Sequence, residues 1–188
     1  MRYVNSRYAR IMLAVVPFVL LGGCATRSGV GYDSQYSSID PPYDSSSYSS
    51  RMPQELASGE KTVVVDPTVH AWAAYGRDGK LVRGGIATAG GNWCPDTHKP
   101  CRTAVGTFRV YSMGDGDCIS KKYPLPRGGG LMPYCMYFNN GMALHGSPAS
   151  TVIEDNVSHG CVRMRISDAE WLRYNFVQNG TKVVVKPY

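Results

Sequence analysis

Short runs of apolar residues, separated by turn-forming residues, recur through the last two thirds of the chain. Residues 61–66 form a β-branched run that predicts a strand. Residues 70–76 and 81–89 predict a hairpin around the polar sequence at residues 77–80, and residues 106–111 predict a further strand. These short runs favour strands over helices in this half of the folded region.

The C-terminal third predicts a second hairpin, one helix and a closing strand. Residues 134–145 contain an Asn-Gly turn between two apolar runs, which is typical of a hairpin. Ser167 and Glu170 form a capping box that opens a helix running to about residue 177, and residues 181–186 predict the last strand. About seven short strands with one or two helices and no βαβ alternation predict a mainly β, sandwich-like or barrel-like domain.

The first 23 residues have the pattern of a signal peptide. Three arginines precede an apolar run at residues 11–21, which is too short to span a bilayer as a stable helix. Leu21-Gly22-Gly23-Cys24 resembles a bacterial lipobox, which implies that Cys24 is lipidated and becomes the mature N-terminus. Ala25 then implies the outer membrane, in a cell that has one. The alternative is a soluble secreted protein cleaved at the nearby glycines. Both predict export to the periplasm.

Residues 24–59 predict a disordered linker, and residues 60–188 the folded domain. The linker is rich in Ser, Tyr, Gly, Asp and Pro, so it lacks the apolar surface that would offset its ordering entropy. A flexible chain of this length has a root-mean-square reach of roughly 30 to 35 Å. It would let a membrane-bound domain search a nearby polymer layer; the alternative is an unselected spacer.

The charge balance argues against nucleic acid as a partner. The formal net charge is +6, but three of the basic residues lie in the predicted signal peptide, which leaves +3 for the rest of the chain. No basic stripe with interleaved aromatic residues appears. The mild positive charge suits contact with an anionic wall polymer. Nothing in the sequence indicates the oligomeric state.

One short segment, residues 144–164, holds two of the four histidines together with a cysteine. Cys161 is the candidate nucleophile, and His145, which follows an apolar run typical of a strand end, is the candidate general base. Gly160 lets the backbone approach a ligand closely, so the N–H groups of Gly160 and Cys161 are candidates for an oxyanion site. A zinc site built from Cys161, His145 and His159 is the alternative, although no CxxC or HExxH spacing supports it.

The same segment carries a family signature. His145-Gly146, followed after a gap by Ser158-His159-Gly160-Cys161-Val162-Arg163-Met164, resembles the signature of the L,D-transpeptidase catalytic domain, the cysteine peptidoglycan transpeptidases. The resemblance spans residues 61 to 188 and implies that Cys161 is acylated while His145 exchanges its proton. Ala104 departs from the family pattern, which usually has proline there. The resemblance also implies oxyanion or substrate contacts for the other signature residues: Gly146, Ser158, His159, Gly160 and Arg163. For Arg163 it implies either a place near the substrate's anionic groups or a role in bracing the loop.

The implied reaction is a two-step acyl transfer on peptidoglycan stem peptides that uses no cofactor and no metal. Cys161 would attack the carbonyl between the third and fourth stem residues, release the terminal D-amino acid and then pass the acyl group to an amine. That amine would come from another stem, a lipoprotein lysine or a free D-amino acid. Two alternatives stay open: hydrolysis by the same site, as an L,D-carboxypeptidase or crosslink hydrolase, and a non-catalytic, lipid-anchored module for wall binding or host contact.

The four remaining cysteines predict two disulfides. An even number of cysteines in an oxidising compartment favours bridges. We favour Cys94–Cys101 and Cys118–Cys135, because each would close one Gly/Pro-rich loop; four thiols on zinc is the alternative.

The long stretch between the strand ending near Ser112 and the one starting near Tyr134 predicts a binding lid. Lys121, Lys122 and Arg127 in it would meet the carboxylates of a stem peptide. The alternative is a solvated basic loop.

Overall fold

The computed structural model describes residues 39–188. The predicted signal peptide, Cys24 and the first part of the predicted linker lie outside the described residues. Within the described part the chain forms nine strands: β1 Thr62–Asp66, β2 Ala71–Tyr75, β3 Leu81–Ile86, β4 Gly106–Arg109, β5 Ser112–Met113, β6 Met136–Asn139, β7 Met142–Ser147, β8 Val162–Arg165 and β9 Lys182–Val185. Its helical segments are short: α1 Ser46–Ser49, a 3₁₀ turn Ala149–Thr151, α2 Ile166–Trp171 and a π-helical turn Leu172–Phe176. No helix in this part is long and apolar enough to cross a membrane.

The strands form two sheets. The five-stranded sheet has the order β3-β2-β1-β9-β4, and the four-stranded sheet has the order β5-β6-β7-β8. Two neighbouring pairs run parallel, β1 with β9 and β7 with β8, and the other neighbours are antiparallel. This architecture confirms the mainly β fold that the strand pattern predicts.

The main core lies between the two sheets. Val63 and Val65 of β1 reach it from one side, and Leu144 of β7 and Val162 of β8 reach it from the other; all four are fully buried. Because side chains alternate along a strand, each sheet turns its second face away from this core. These two outer faces have different covers.

Residues 39–59 cover the outer face of the five-stranded sheet. Met52 packs there against a buried cluster that includes Val64 and Tyr75. This second layer explains why all five residues of β1 are buried and why its sequence is a continuous β-branched run. The prediction of disorder is therefore wrong for residues 39–59. The composition of residues 39–59 predicted disorder because it does not show that a few apolar and tyrosine side chains pack on surfaces formed by other parts of the chain.

Polar contacts fix the same segment to the start of α2. The carboxylate of Asp40 lies 2.5 Å from Nε of Arg165, and both side chains are almost fully buried. Its second oxygen accepts the backbone N–H of Ser167 at 2.7 Å. The hydroxyl of Tyr43 donates a hydrogen bond to the fully buried carboxylate of Asp168. Residues 39–43 therefore belong to the folded unit.

The structure confirms both predicted hairpins, β2 with β3 and β6 with β7. The predicted capping box is wrong: Arg165 occupies the N-cap position, no side chain of the helix caps it, and the Asp40 carboxylate binds the Ser167 N–H instead. The helical run ends at Phe176, close to the predicted end at about residue 177, but only Ile166–Trp171 is α-helical and the rest is the π-helical turn. The predicted last strand is β9, which lies between β1 and β4.

Candidate active site

The candidate nucleophile and base lie on neighbouring parallel strands. His145 belongs to β7, Cys161 immediately precedes β8, and the Cα of His145 lies opposite that of Arg163. Leu144 and Val162 point into the main core, so alternation places His145, Cys161 and Arg163 together on the outer face of the four-stranded sheet. Strand dimensions put the Cβ atoms of His145 and Cys161 roughly 8 Å apart. An imidazole and a thiol that point toward each other span this distance.

The imidazole of His145 is held in one tautomer. Its Nδ1 lies 2.8 Å from the carbonyl oxygen of Gly146 and 3.3 Å from Oγ of Ser147. A carbonyl oxygen only accepts, so Nδ1 carries the proton and the lone pair is on Nε2. Burial lowers the pKa of His145 to about 4; the Gly146 carbonyl opposes this shift and the positive charge of Arg163 adds to it. At neutral pH His145 is therefore a neutral base.

Cys161 is a half-buried free thiol. Its Sγ lies 3.9 Å from the carbonyl oxygen of Gly141. Burial raises the pKa of the thiol, while the backbone at Ala143 and the charge of Arg163 act in the opposite direction. The resting site therefore holds a thiol beside a neutral imidazole. A thiolate at Cys161 would therefore require a proton transfer to His145.

Ser158 shapes the loop before the nucleophile, residues 158–161. Its hydroxyl donates a hydrogen bond to the carbonyl oxygen of Cys161 and accepts the N–H of Gly160 at 3.2 Å. Gly160 has a φ of +111°, a conformation that L side chains rarely adopt. The N–H of Gly160 is thus engaged with Ser158, so an oxyanion would have to share or replace that contact.

The backbone of this nucleophile loop is supported from the side opposite β7. The N–H of Ser158 donates to the carbonyl oxygen of Ala89 at 3.0 Å, and its own carbonyl oxygen accepts the N–H of Gly91 at 2.9 Å. The hydroxyl of Tyr188 donates to the carbonyl oxygen of Gly90 at 2.7 Å and accepts the N–H of Thr103 at 2.9 Å. Gly146 belongs to the support on the β7 side, where an added Cβ would lie 2.9 Å from Cα of Ile166.

The side chain of His159 does not join His145 and Cys161. Its Nε2 lies 2.8 Å from both carboxylate oxygens of Asp96, and its ring stacks on Tyr123 with the centroids 4.2 Å apart. Any contribution of His159 to an oxyanion site must therefore come from its backbone. Sequence reasoning missed Asp96 and Tyr123. The position of Asp96 between Cys94 and Cys101 was the available signal.

Arg163 supplies a positive charge beside the thiol. It is half-buried, burial lowers its pKa, and the neighbouring Cys161 opposes that shift. Within residues 39–188 no acidic side chain pairs with its guanidinium. The geometry leaves this group available to an anionic part of a ligand.

The structure forms the two disulfides favoured from the sequence, Cys94–Cys101 and Cys118–Cys135. The Cys94–Cys101 loop lies against the nucleophile loop, with Sγ of Cys94 3.7 Å from the carbonyl oxygen of Ser158.

Residues 114–133, here called the lid loop, are joined by the second bridge to the residue that precedes β6. Cys118, Met132 and Cys135 pack in one cluster with Cys161. The lid loop therefore lies over the nucleophile; that it binds substrate stays a prediction. The basic side chains of Lys121, Lys122 and Arg127 make no ion pair with the described acidic residues.

Potential metal ligands converge at one place in the described part of the chain, where Cys94, Asp96 and His159 place ligand atoms within 4.8 Å of one another. Cys94 is already bonded to Cys101 and offers no thiolate. Cys161, His145 and His159, the zinc alternative considered from the sequence, do not form such a group.

Comparison with known proteins agrees with this geometry. The family model of the L,D-transpeptidase catalytic domain (YkuD) matches residues 60–185. No curated protein sequence matches the chain.

Several solved structures resemble this one. An L,D-transpeptidase from Xylanimonas cellulosilytica is 28% identical, with a TM-score of 0.60, over 71% of this chain and 64% of that one. An L,D-transpeptidase from Stackebrandtia nassauensis is 30% identical, with a TM-score of 0.55, over 71% of this chain and 58% of that one. One from Mycobacterium smegmatis is 25% identical, with a TM-score of 0.56, over 68% and 59%. The chain thus spans about six tenths of the length of these structures. Because the family model covers most of the chain and these structures share its fold, the chain belongs to the L,D-transpeptidase catalytic domain family.

Proposed function

We propose that this protein is a peptidoglycan L,D-transpeptidase that works through a thioester on Cys161. The observation that carries the proposal is the pairing of β7 and β8, which puts Cys161 and the Nδ1-protonated imidazole of His145 on one sheet face. Neutral His145 has its free lone pair on Nε2, the atom that would take the thiol proton.

In the first half-reaction Cys161 attacks the carbonyl that joins the third and fourth residues of a tetrapeptide stem. The thiol proton moves to Nε2 of His145, Sγ forms the new bond, and the carbonyl oxygen takes the negative charge. The imidazolium then protonates the amine of the terminal D-amino acid as the amide bond breaks. A thioester and a neutral imidazole remain.

Arg163 would orient the donor in this step. Its half-buried guanidinium is unpaired with the described acidic residues and lies on the same face as Cys161. A stem tetrapeptide ends in a carboxylate one residue beyond the scissile carbonyl, and guanidinium binds carboxylate in a fixed fork geometry. The N–H of Cys161, with that of Gly160, would receive the oxyanion.

In the second half-reaction an amine attacks the thioester carbonyl and gives a proton to Nε2 of His145. The C–S bond breaks as the new amide forms, and the imidazolium returns that proton to Sγ of Cys161. One amide is formed for each amide broken, so the reaction needs no nucleotide. The acceptor would be the side-chain amine of another stem in a 3-3 crosslink, a lipoprotein lysine or a free D-amino acid. Of the L,D-transpeptidases with a similar fold, one has been solved in complex with imipenem and another with a faropenem-derived adduct. We therefore expect carbapenems and penems to acylate Cys161.

The place of action follows from the N-terminal sequence alone. A lipid on Cys24 would hold the protein at a membrane, and export would place it in the periplasm beside its polymer. Because residues 39–59 pack on the domain, the segment between Cys24 and the folded unit is shorter than the sequence alone predicts. Labelling with a radioactive or alkyne fatty acid tests this part, with Cys24→Ser as the control.

The experiment that tests the reaction is incubation of the purified protein with disaccharide-tetrapeptide muropeptides, read by mass spectrometry. Crosslinked dimer with loss of the terminal D-amino acid supports transfer. Tripeptide without dimer would mean that the site hydrolyses the stem peptide and does not transfer it to an amine. No product and no carbapenem adduct on Cys161, with wall binding intact, would overturn the enzymatic proposal in favour of a binding module. Cys161→Ala is the matched inactive control.

A further inference from the structure

Three side chains meet beside the nucleophile without entering the chemistry described above. His159, two residues before Cys161, donates a hydrogen bond from Nε2 to the carboxylate of Asp96, whose two oxygens each lie 2.8 Å away. The other contact of its ring is a stack on Tyr123, 4.2 Å between centroids and 28° between planes. The hydrogen bond from His159 lowers the pKa of Asp96, so the carboxylate is ionised at neutral pH.

These contacts join three separate pieces of chain. Asp96 lies in the loop closed by Cys94–Cys101, Tyr123 lies in the lid loop, and His159 lies in the nucleophile loop. The disulfide Cys118–Cys135 fixes the base of the lid loop. Tyr123 lies beyond that base, toward the far end of the loop, so the stack on His159 is a second attachment.

Backbone hydrogen bonds within the lid loop connect Tyr123 to the part of the loop that lies over the cleft. The backbone carbonyl oxygen of Tyr123 accepts the N–H of Gly130 at 2.9 Å, and that of Gly130 accepts the N–H of Ser120 at 2.8 Å. The carbonyl oxygen of Cys118 accepts the N–H of Met132 at 2.9 Å. Met132 packs in the same cluster as Cys161. A displacement of Tyr123 would therefore move the side chains that cover the thiol.

We propose that Asp96, His159 and Tyr123 form a latch that holds the lid loop closed over Cys161, and that Asp96 and Tyr123 are positioning residues which set the partition of the acyl group between amine and water. The inference rests on the proposed transpeptidation. A closed lid excludes water from the thioester while an oriented amine enters its own path. An open lid admits water, so hydrolysis gains on transfer.

The test uses four single variants of the full folded protein. Asp96→Ala and Tyr123→Ala remove the two arms of the latch. Tyr123→Phe keeps the stacking ring, and Glu55→Gln changes an exposed acid on a distant loop; both serve as controls. The readouts are the ratio of tripeptide to crosslinked dimer from muropeptides and the rate of Cys161 alkylation by iodoacetamide.

We expect each alanine variant to raise the tripeptide-to-dimer ratio about five-fold or more and to speed alkylation several-fold. A residue needed only for folding would not raise alkylation in molecules that retain wild-type circular dichroism and melting. Both controls should match the wild type. The double variant Asp96→Ala with Tyr123→Ala should be no worse than the more affected single variant, because both arms act through His159.

Unchanged ratios and unchanged alkylation in both folded alanine variants would overturn the latch. Additive effects in the double variant would overturn it as well, since they would mean that Asp96 and Tyr123 act independently of each other. Should one alanine variant fail to fold, the other and the milder Asp96→Asn keep the test decisive. Alkylation needs no turnover, so it tests the latch even if the wild type forms neither dimer nor tripeptide. That absence of products would contradict only the proposed function.

Discussion

The outer faces of the two sheets are covered by different means. Residues 39–59 cover the outer face of the five-stranded sheet with apolar contacts, and the buried carboxylate of this segment, that of Asp40, is paired with Arg165 at the end of β8. The lid loop covers the four-stranded sheet, and beneath it lie a thiol, a neutral imidazole and a guanidinium that has no acidic partner among the described residues. Fully matched polar groups serve stability, whereas unmatched ones are available for a ligand. Changes at the two faces should therefore have separable effects.

The largest expected effect is on chemistry at the four-stranded sheet. Cys161→Ala removes the nucleophile, and His145→Gln removes the base. Each should lower transfer by at least about 10³-fold, because residues that act as one unit fail together. The thermal unfolding of Cys161→Ala should stay close to that of the wild type. Measurable dimer formation by Cys161→Ala would contradict the assignment.

The next effect is on the stability of the contact that holds residues 39–59 to the domain, where Asp40 pairs with Arg165 at the end of β8. Asp40→Ala leaves Arg165 buried without its partner, which should cost about 3 kcal/mol in the free energy of unfolding by urea. Glu154→Ala is the matched control: it breaks the exposed pair with Arg51, which should contribute less than about 1 kcal/mol. Folded Asp40→Ala should still be acylated by a carbapenem. Loss of acylation in the folded variant would show that the docking of residues 39–59 and the active site are coupled.

Both disulfides lie on the side of the active site, and their removal should lower both stability and activity. They close loops with sequence separations of 7 and 17 residues, for which chain entropy predicts about 2.5 and 3 kcal/mol as upper values. We expect Cys94→Ser with Cys101→Ser to lose the larger share of activity per folded molecule, since this bridge lies against the nucleophile loop. Urea unfolding and carbapenem acylation of the two double variants measure the difference. Equal activity losses would argue against that role.

The smallest effect is a pH dependence. The pKa of His145 is about 4 in the folded state against an ordinary value near 6.5, so the unfolded chain binds this proton first as pH falls. The stability due to the neutral imidazole is present above about pH 6.5 and is lost as pH falls toward 4. Between pH 7.5 and pH 5 the loss should be about 2 kcal/mol. Urea unfolding of His145→Gln should lack this part of the decrease; an identical decrease in the variant would contradict the low pKa.

Local sequence was enough to predict features built from local contacts. The Asn-Gly turn of residues 139–141 identified the β6–β7 hairpin, and the signature around Cys161 identified the segment that lies at the edge of the four-stranded sheet. His145 and Cys161 are 16 positions apart in the chain, yet the parallel pairing of their strands brings them to one face.

Features that depend on partners distant in sequence could not be predicted. Ser167 and Glu170 have the spacing of a capping box, but the carboxylate that binds the Ser167 N–H belongs to Asp40. Composition alone gave no sign that Met52 would be buried against β1 and β2. Asp96 and Tyr123 are likewise ordinary loop residues until the fold places them on His159.

The hydrogen bonds of Tyr188 bear on how the protein should be handled. Its hydroxyl ties Gly90 to Thr103, and the strip of backbone at residues 89–91 holds Ser158 in place. Removal of that hydroxyl, as in Tyr188→Phe, would release both hydrogen bonds and loosen the strip that holds the nucleophile loop. Recombinant versions for kinetic assays should therefore keep Tyr188 and the residues around it unaltered.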